Sequence, residues 1–173
     1  MKYTRSSKGF TLIEMLVVIA IIALLTGIIM SNLVTSRSKA RDAKRLSDIA
    51  QIQTAISFFF DRCKQYPSPI SGETGTIDDT FLTTSNGCPS GITFATYMSK
   101  VPTPPTGING QLKYDYRTNS AHTDFMLHTQ LENNNDAIKD SIPLEGEPAW
   151  AFGVIPDCYD SASPTIYSYC IGP

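Results

Sequence analysis

The sequence predicts an α+β protein in which one long N-terminal helix, half membrane-spanning and half amphipathic, packs against a small antiparallel β-sheet. Three observations lead there. Phe10 to Met30 is an apolar run with one ionisable side chain, Glu14. Residues 33–62 then contain no proline and no glycine, and Ile49, Ile52, Ile56, Phe59, Phe60 and Cys63 recur at three- and four-residue spacings, the period of a helix with one buried face. Beyond Tyr66-Pro67-Ser68-Pro69, short alternating segments separated by turn-forming residues read as strands.

Taken in order, residues 1–9 form a basic leader with Lys2, Arg5 and Lys8 and no acid. Residues 10–32 are the apolar helix. As a helix the run from Phe10 is about 31 Å long, which matches a bilayer core of about 30 Å. The leader bases favour a cytoplasmic N-terminus. Arg37, Lys39, Arg41, Lys44 and Arg45, set against Asp42 alone, oppose it. The cysteine-bearing head decides for an extracytoplasmic location, giving a single-pass inner-membrane protein. A secretory signal peptide would need a small-residue cleavage site after the run, and SNLVTSRSKAR offers none. A plain anchor leaves Glu14 unexplained, because a carboxylate in an apolar run is costly and marks function.

Residues 33–64 are the stem, with Leu46 and Ala50 extending its apolar stripe. In the earlier half Asp42 can pair with Lys39, Arg41, Lys44 or Arg45. The basic cluster reads as a solvated face, with lipid headgroups or neighbouring acidic heads as alternatives. Residues 65–173 are the head. Its connector, 68–111, is rich in Gly, Pro, Ser and Thr, with a short helix or strand at Phe94–Met98. Strand candidates are Leu112–Tyr116, Asp124–Leu131, Ala149–Val154 and Thr165–Tyr169. From Leu46 onward there are 14 acids against 6 bases, a field that repels phosphates and excludes nucleic acid as an expected partner.

The segment Lys8-Gly9-Phe10-Thr11-Leu12-Ile13-Glu14 resembles the processing signature of type IV pilins and type II secretion pseudopilins. The resemblance covers residues 5–67, is closest to the major pseudopilins, and includes the Tyr66-Pro67 pair that closes the long helix. It implies cleavage after Gly9 by a prepilin peptidase and methylation of the new amine on Phe10. It also implies assembly through Phe10 and Glu14 into a filament, driven by an assembly platform protein, with copies of this chain and other pilin-like subunits. The Glu14 carboxylate would face a neighbouring subunit's amine and set register. Thr11 can add a hydrogen bond. Family helices often carry proline at the twenty-second mature position, where this chain has Ser31, with Gly27 nearby as a soft spot. Two other readings stay open: a minor or initiating pilin of a DNA-uptake system, and a membrane-tethered extracytoplasmic binding domain.

Catalytic candidates are few. His122 and His128 are the only histidines, neither is at ligand spacing from a cysteine or carboxylate, and His128 reads as an exposed strand residue. The chain is therefore read as non-enzymatic. Trp150 reads as core or sheet-edge cover. Glu132, Asn133, Asn134, Asn135, Asp136 and Asp140 gather in one polar loop. Glu132, Asn134, Asp136 and Asp140 make a candidate calcium set, since oxygen ligands on a flexible loop suit that ion, against the alternative of an ordinary solvated turn. Cys63, Cys88, Cys158 and Cys170 make an even count suited to disulfides in an exported head. Of three possible pairings, Cys63–Cys88 and Cys158–Cys170 are expected. The first would pin the connector to the helix end, and the second would close the tail.

Overall fold

The structure, a computed structural model, describes residues 9–69, 74–83, 88, 91–106, 111–134, 136–137 and 167–173. The chain divides into two compact units, Met1–Arg37 and Ser38–Pro173. Helix α1 runs Leu12–Cys63. It is followed by strand β1 (Thr74–Ile77), helix α2 (Asp79–Thr83), a 3-10 turn (Phe94–Thr96), and strands β2 (Tyr114–Thr118), β3 (Phe125–Leu131) and β4 (Tyr167–Ile171).

In the first unit α1 is continuous across Gly27 and Ser31, so neither interrupts it. Its apolar side chains are largely exposed, from Phe10 and Leu12 through Leu25 to Ile29 and Val34. Among the described residues no helix is long and apolar enough to cross a membrane. This corrects three linked expectations: the membrane-spanning half of the helix, the transmembrane helix itself, and the single-pass topology. The apolar run carries the Glu14 carboxylate in the first turn of the helix, and a carboxylate is costly to bring into a bilayer core.

In the second unit α1 buries one stripe. Asp42, Arg45, Ile49, Ile52, Ile56, Phe59 and Cys63 are all buried. The steps of three and four keep them on one helical face. Leu46 is only half-buried and Ala50 is exposed, so the stripe does not follow the apolar letters at its upper end. It continues in charged ones. Burying each large apolar side chain of the lower half contributes about 1.5–3 kcal/mol.

The helix stops at Lys64, whose φ of 58° is the left-handed conformation of a helix C-cap. Its N–H donates to Phe60 O (2.7 Å). Pro67 and Pro69 forbid continuation. The Tyr66 N–H donates to His122 O (2.8 Å), which pins the exit chain to the β2–β3 turn. The Tyr66 ring stacks on Phe60, with centroids 4.4 Å apart.

The sheet has strand order β1-β2-β3-β4, all antiparallel. Tyr114, Tyr116, Phe125 and Leu127 pack in the core with the α1 stripe, Ile77, Phe81 and Phe94. Strand β1 and helix α2 arise inside the connector, where the sequence showed only turn-forming residues. Strand β2 begins two residues later than its sequence candidate, and the described part of β4 runs two residues past the end of its candidate, to Ile171; Thr165 and Ile166 lie outside the described residues. Ala149–Val154 and Trp150 lie outside the described residues. His128 is fully buried, which corrects its reading as an exposed strand residue.

A disulfide joins Cys63 to Cys88. Cys170 is disulfide-bonded, and Cys158 lies outside the described residues.

Candidate functional site: the helix N-terminus and the charged junction

Two places on the helix concentrate polar chemistry. The first is its beginning. Thr11 precedes the first helical residue, Leu12, and Glu14 is three residues after it. The Thr11 N–H and its hydroxyl both donate to Glu14 Oε2, at 2.8 and 2.6 Å. The Glu14 N–H donates back to Thr11 Oγ1 at 3.3 Å. This is a capping box, in which side chains satisfy amides that have no helical acceptor. Phe10, Ile13, Glu14, Val17 and Val18 line an open hollow of about 390 Å³. Glu14 is its one ionisable wall. Gly9 is exposed and has open space around it, with nothing within 4 Å of where a Cβ would stand.

The second place is the upper end of the buried stripe. Asp42 Oδ1 accepts from Arg45 Nη1 (2.8 Å) and from the Glu132 N–H (2.9 Å). Its Oδ2 accepts from the Asn133 N–H (2.9 Å) and from Asn133 Nδ2 (2.7 Å). Arg45 also donates to Glu132 Oε1 (2.9 Å) and to Pro105 O (2.9 Å). Arg41 grips both oxygens of Glu132. One helix turn lower, Asp48 is fully buried between Lys44 and the Tyr114 hydroxyl, which donates to it at 2.8 Å. Burial first, and that bond second, push the Tyr114 hydroxyl's pKa far up. The junction fixes two loops, the one carrying Pro105 and the one after β3, on the helix.

This arrangement redirects the polar loop read as a calcium set. Glu132 is committed to two guanidinium groups, and among the described residues no group of three His, Cys, Asp or Glu could hold a metal ion. Asn133 and Asn134 line a polar hollow with Lys39, Asp42 and Asp136. Asp140 lies outside the described residues. The sequence offered a signal for this junction, the unbroken three-four period through Asp42 and Arg45. Nothing local identified partners some 90 residues away.

His128 connects the sheet's far side. Its Nδ1 lies 2.9 Å from Asp115 Oδ2 and its Nε2 3.4 Å from Ser168 Oγ, across β2, β3 and β4. The residue types are those of a hydrolytic triad, but His128 and Ser168 are buried. A nucleophile must meet its substrate, so the row serves as a cross-strand tie.

The junction carries a pH prediction. The hydrogen bond from Arg41, ahead of Arg45, holds the Glu132 carboxyl below its ordinary 4.5. Hydrogen bonds from Lys113 and then Thr80 lower Asp78 from 3.8 to about 2. Both are depressed in the folded state, so both contribute stability that is complete above the ordinary values and lost as pH falls through the folded ones. The melting temperature is expected to hold down to about pH 4.5 and to fall between there and about pH 2. Glu132→Gln should flatten the upper part of that fall in a pH series of thermal melts. Equal slopes in the two proteins would remove Glu132 from the account.

Comparison with known proteins adds a motif and partial relatives. Residues 4–30 match the model of the prokaryotic N-terminal methylation motif. The type II secretion system core protein G of Escherichia coli K12 is 35% identical over 42% of this chain and 50% of that protein. The type IV wide pilus major component PilA4 of Thermus thermophilus is 55% identical over 22% of this chain and 29% of that protein. The type IV major fimbrial protein FimA of Dichelobacter nodosus is 26% identical over 91% of this chain and 97% of that protein. The chain spans about half the length of the core proteins G of Escherichia coli and Aeromonas hydrophila. No solved structure matches it. These relatives are named as structural components rather than catalysts, which supports a non-enzymatic role. The chain thus carries the methylation motif and is similar, over part of its length, to a type II secretion core protein and to type IV pilus and fimbrial proteins.

Proposed function

We propose that this chain is the structural subunit of a type IV pilus or a type II secretion pseudopilus. It is cut after Gly9, methylated on the Phe10 amine, and stacked through its N-terminal helix into a filament. The observation that carries this reading is the first unit itself. Its large apolar side chains lie exposed along α1, in a run far more continuous than an isolated soluble chain tolerates. Copies of this chain and other pilin-like subunits are the proposed cover. The prepilin peptidase and the assembly platform are proposed partners on the same family grounds.

Cleavage creates a cation beside an apolar surface whose one carboxylate is Glu14. In a stack, the amine of one copy and the carboxylate of the next leave water together, and each then needs the other. The pair sets how far an entering subunit rises. Glu14→Ala is expected to cut filament yield roughly tenfold or more, because it leaves an unpaired buried amine. The measurement is sheared-filament yield in a co-expressed assembly system, normalised to mature subunit. Wild-type yield and subunit spacing would overturn the register role. Supplying pilus and pseudopilus machinery separately decides which machine accepts the chain.

A further inference from the structure

Two unlike chemistries hold α1 to the head. Over residues 49–63 every buried side chain is apolar, from Ile49 to Cys63. Over residues 38–48 the buried side chains are Asp42, Arg45 and Asp48, all charged, and no apolar one is buried among them. Apolar burial adds up side chain by side chain and is lost only when the whole face meets water. Paired ions behave differently, because their attraction is largely offset by the hydration they gave up. Deleting one partner strands the other, but separating both returns both to water at a smaller net cost. The head's share of the upper contacts also lies in loops. Arg41 and Arg45 donate to Glu132, Arg45 donates to Pro105 O, and Asp42 accepts from the Glu132 and Asn133 amides. The Ser38 hydroxyl donates to Asn133 Oδ1 at 3.3 Å. Glu132 and Asn133 follow the last residue of β3, so these contacts can part without breaking a bond between strands.

We propose that residues 38–45 form a releasable clasp: Ser38, Arg41, Asp42 and Arg45 part together from Glu132, Asn133 and Pro105 in a local opening, while residues 49–63 and the sheet stay packed. Asp48 marks the boundary. Its bond from the Tyr114 hydroxyl reaches β2, and the apolar stripe begins at the next residue. The clasp lets α1 change its path above Asp48 with the core intact.

Hydrogen exchange of the full chain in detergent micelles, read by NMR along a urea series, tests this. The Glu132 and Asn133 amides donate to Asp42 and report the clasp. The Ile56 and Phe59 amides report the packed half. Glu132 and Asn133 are expected to exchange at least about tenfold faster than Ile56 and Phe59. Their rates should change little with urea, because a local opening exposes little surface, while those of Ile56 and Phe59 climb steeply. Ile56→Val weakens only the apolar half. It should speed Phe59 exchange roughly fivefold and leave Glu132 and Asn133 unchanged. Glu132→Gln removes the anion that both arginines grip and leaves the Asn133 bonds to Asp42 untouched. It should speed Asn133 exchange roughly tenfold, since the contacts part together. One common rate and urea slope for all four amides would overturn the clasp, as would equal acceleration of Asn133 and Phe59 by Ile56→Val. An unchanged Asn133 rate in Glu132→Gln would show that the contacts open singly, which also overturns it.

Discussion

Replacing Arg45 by methionine is expected to lower folding stability by about 3–5 kcal/mol, the largest effect of any single substitution at the charged junction. Arg45 is 1% exposed, as is Asp42. Its guanidinium serves Asp42, Glu132 and Pro105 O at once. Methionine would fill much of the volume but leave the buried Asp42 with no cation within hydrogen-bond reach. The three Glu132 and Asn133 donors would remain on Asp42, which keeps the loss from growing larger. Coulomb attraction in the interior does not by itself make such a pair strongly favourable, since both ions gave up hydration. The cost arises from removing one partner only. Lys113 gives the contrast. Its ion pair with Asp78 lies at the surface, with side chains 47% and 24% exposed, and Lys113→Met should lose less than about 1 kcal/mol. Urea denaturation followed by far-ultraviolet circular dichroism measures both. Equal losses would mean that burial is not what gives Arg45 its weight.

Removing the Cys63–Cys88 bridge should cost about 3 kcal/mol. The bridge closes a loop with a sequence separation of 25. That loop contains β1 and α2, whose apolar contribution is confined to Ile77, Phe81 and Leu82 among the described buried residues. So few anchors leave the unfolded connector many conformations that the bridge forbids. The double substitution Cys63→Ala with Cys88→Ala avoids burying hydroxyls at two sites that are 7% and 6% exposed. A midpoint unchanged in urea would show that Phe81 and Leu82 hold the connector unaided.

Parts of the fold were legible because they repeat. Ile49, Ile52, Ile56 and Phe59 state a helical period in apolar letters, and Phe125 to Leu131 gives a strand long enough to stand out. Strand β1, reading Thr-Gly-Thr-Ile, is short, and its residues are as common in turns. Only pairing with β2 makes it a strand. The junction shows a different limit. Asp42 and Arg45 continue the buried period, yet a charged residue is read as solvated unless its partners are known, and Glu132 and Pro105 are remote in sequence. His128 was misread for a related reason. Burial on both sides of a sheet is a tertiary property that alternation along one strand does not reveal.

The candidate site was legible where its chemistry is local. Gly9, Phe10 and Glu14 lie in one short cassette, and Thr11 and Glu14 meet within a single helical turn. In the loop after β3, arginines from α1 engage the Glu132 oxygens, which nothing local to the loop announced.

The most direct test of the central claim is intact mass spectrometry of the native N-terminus, isolated from cells that carry the assembly machinery. The account predicts a chain that begins at Phe10 and carries one added methyl group on its amine. An intact Met1 terminus, or a cut after Met30, would contradict it.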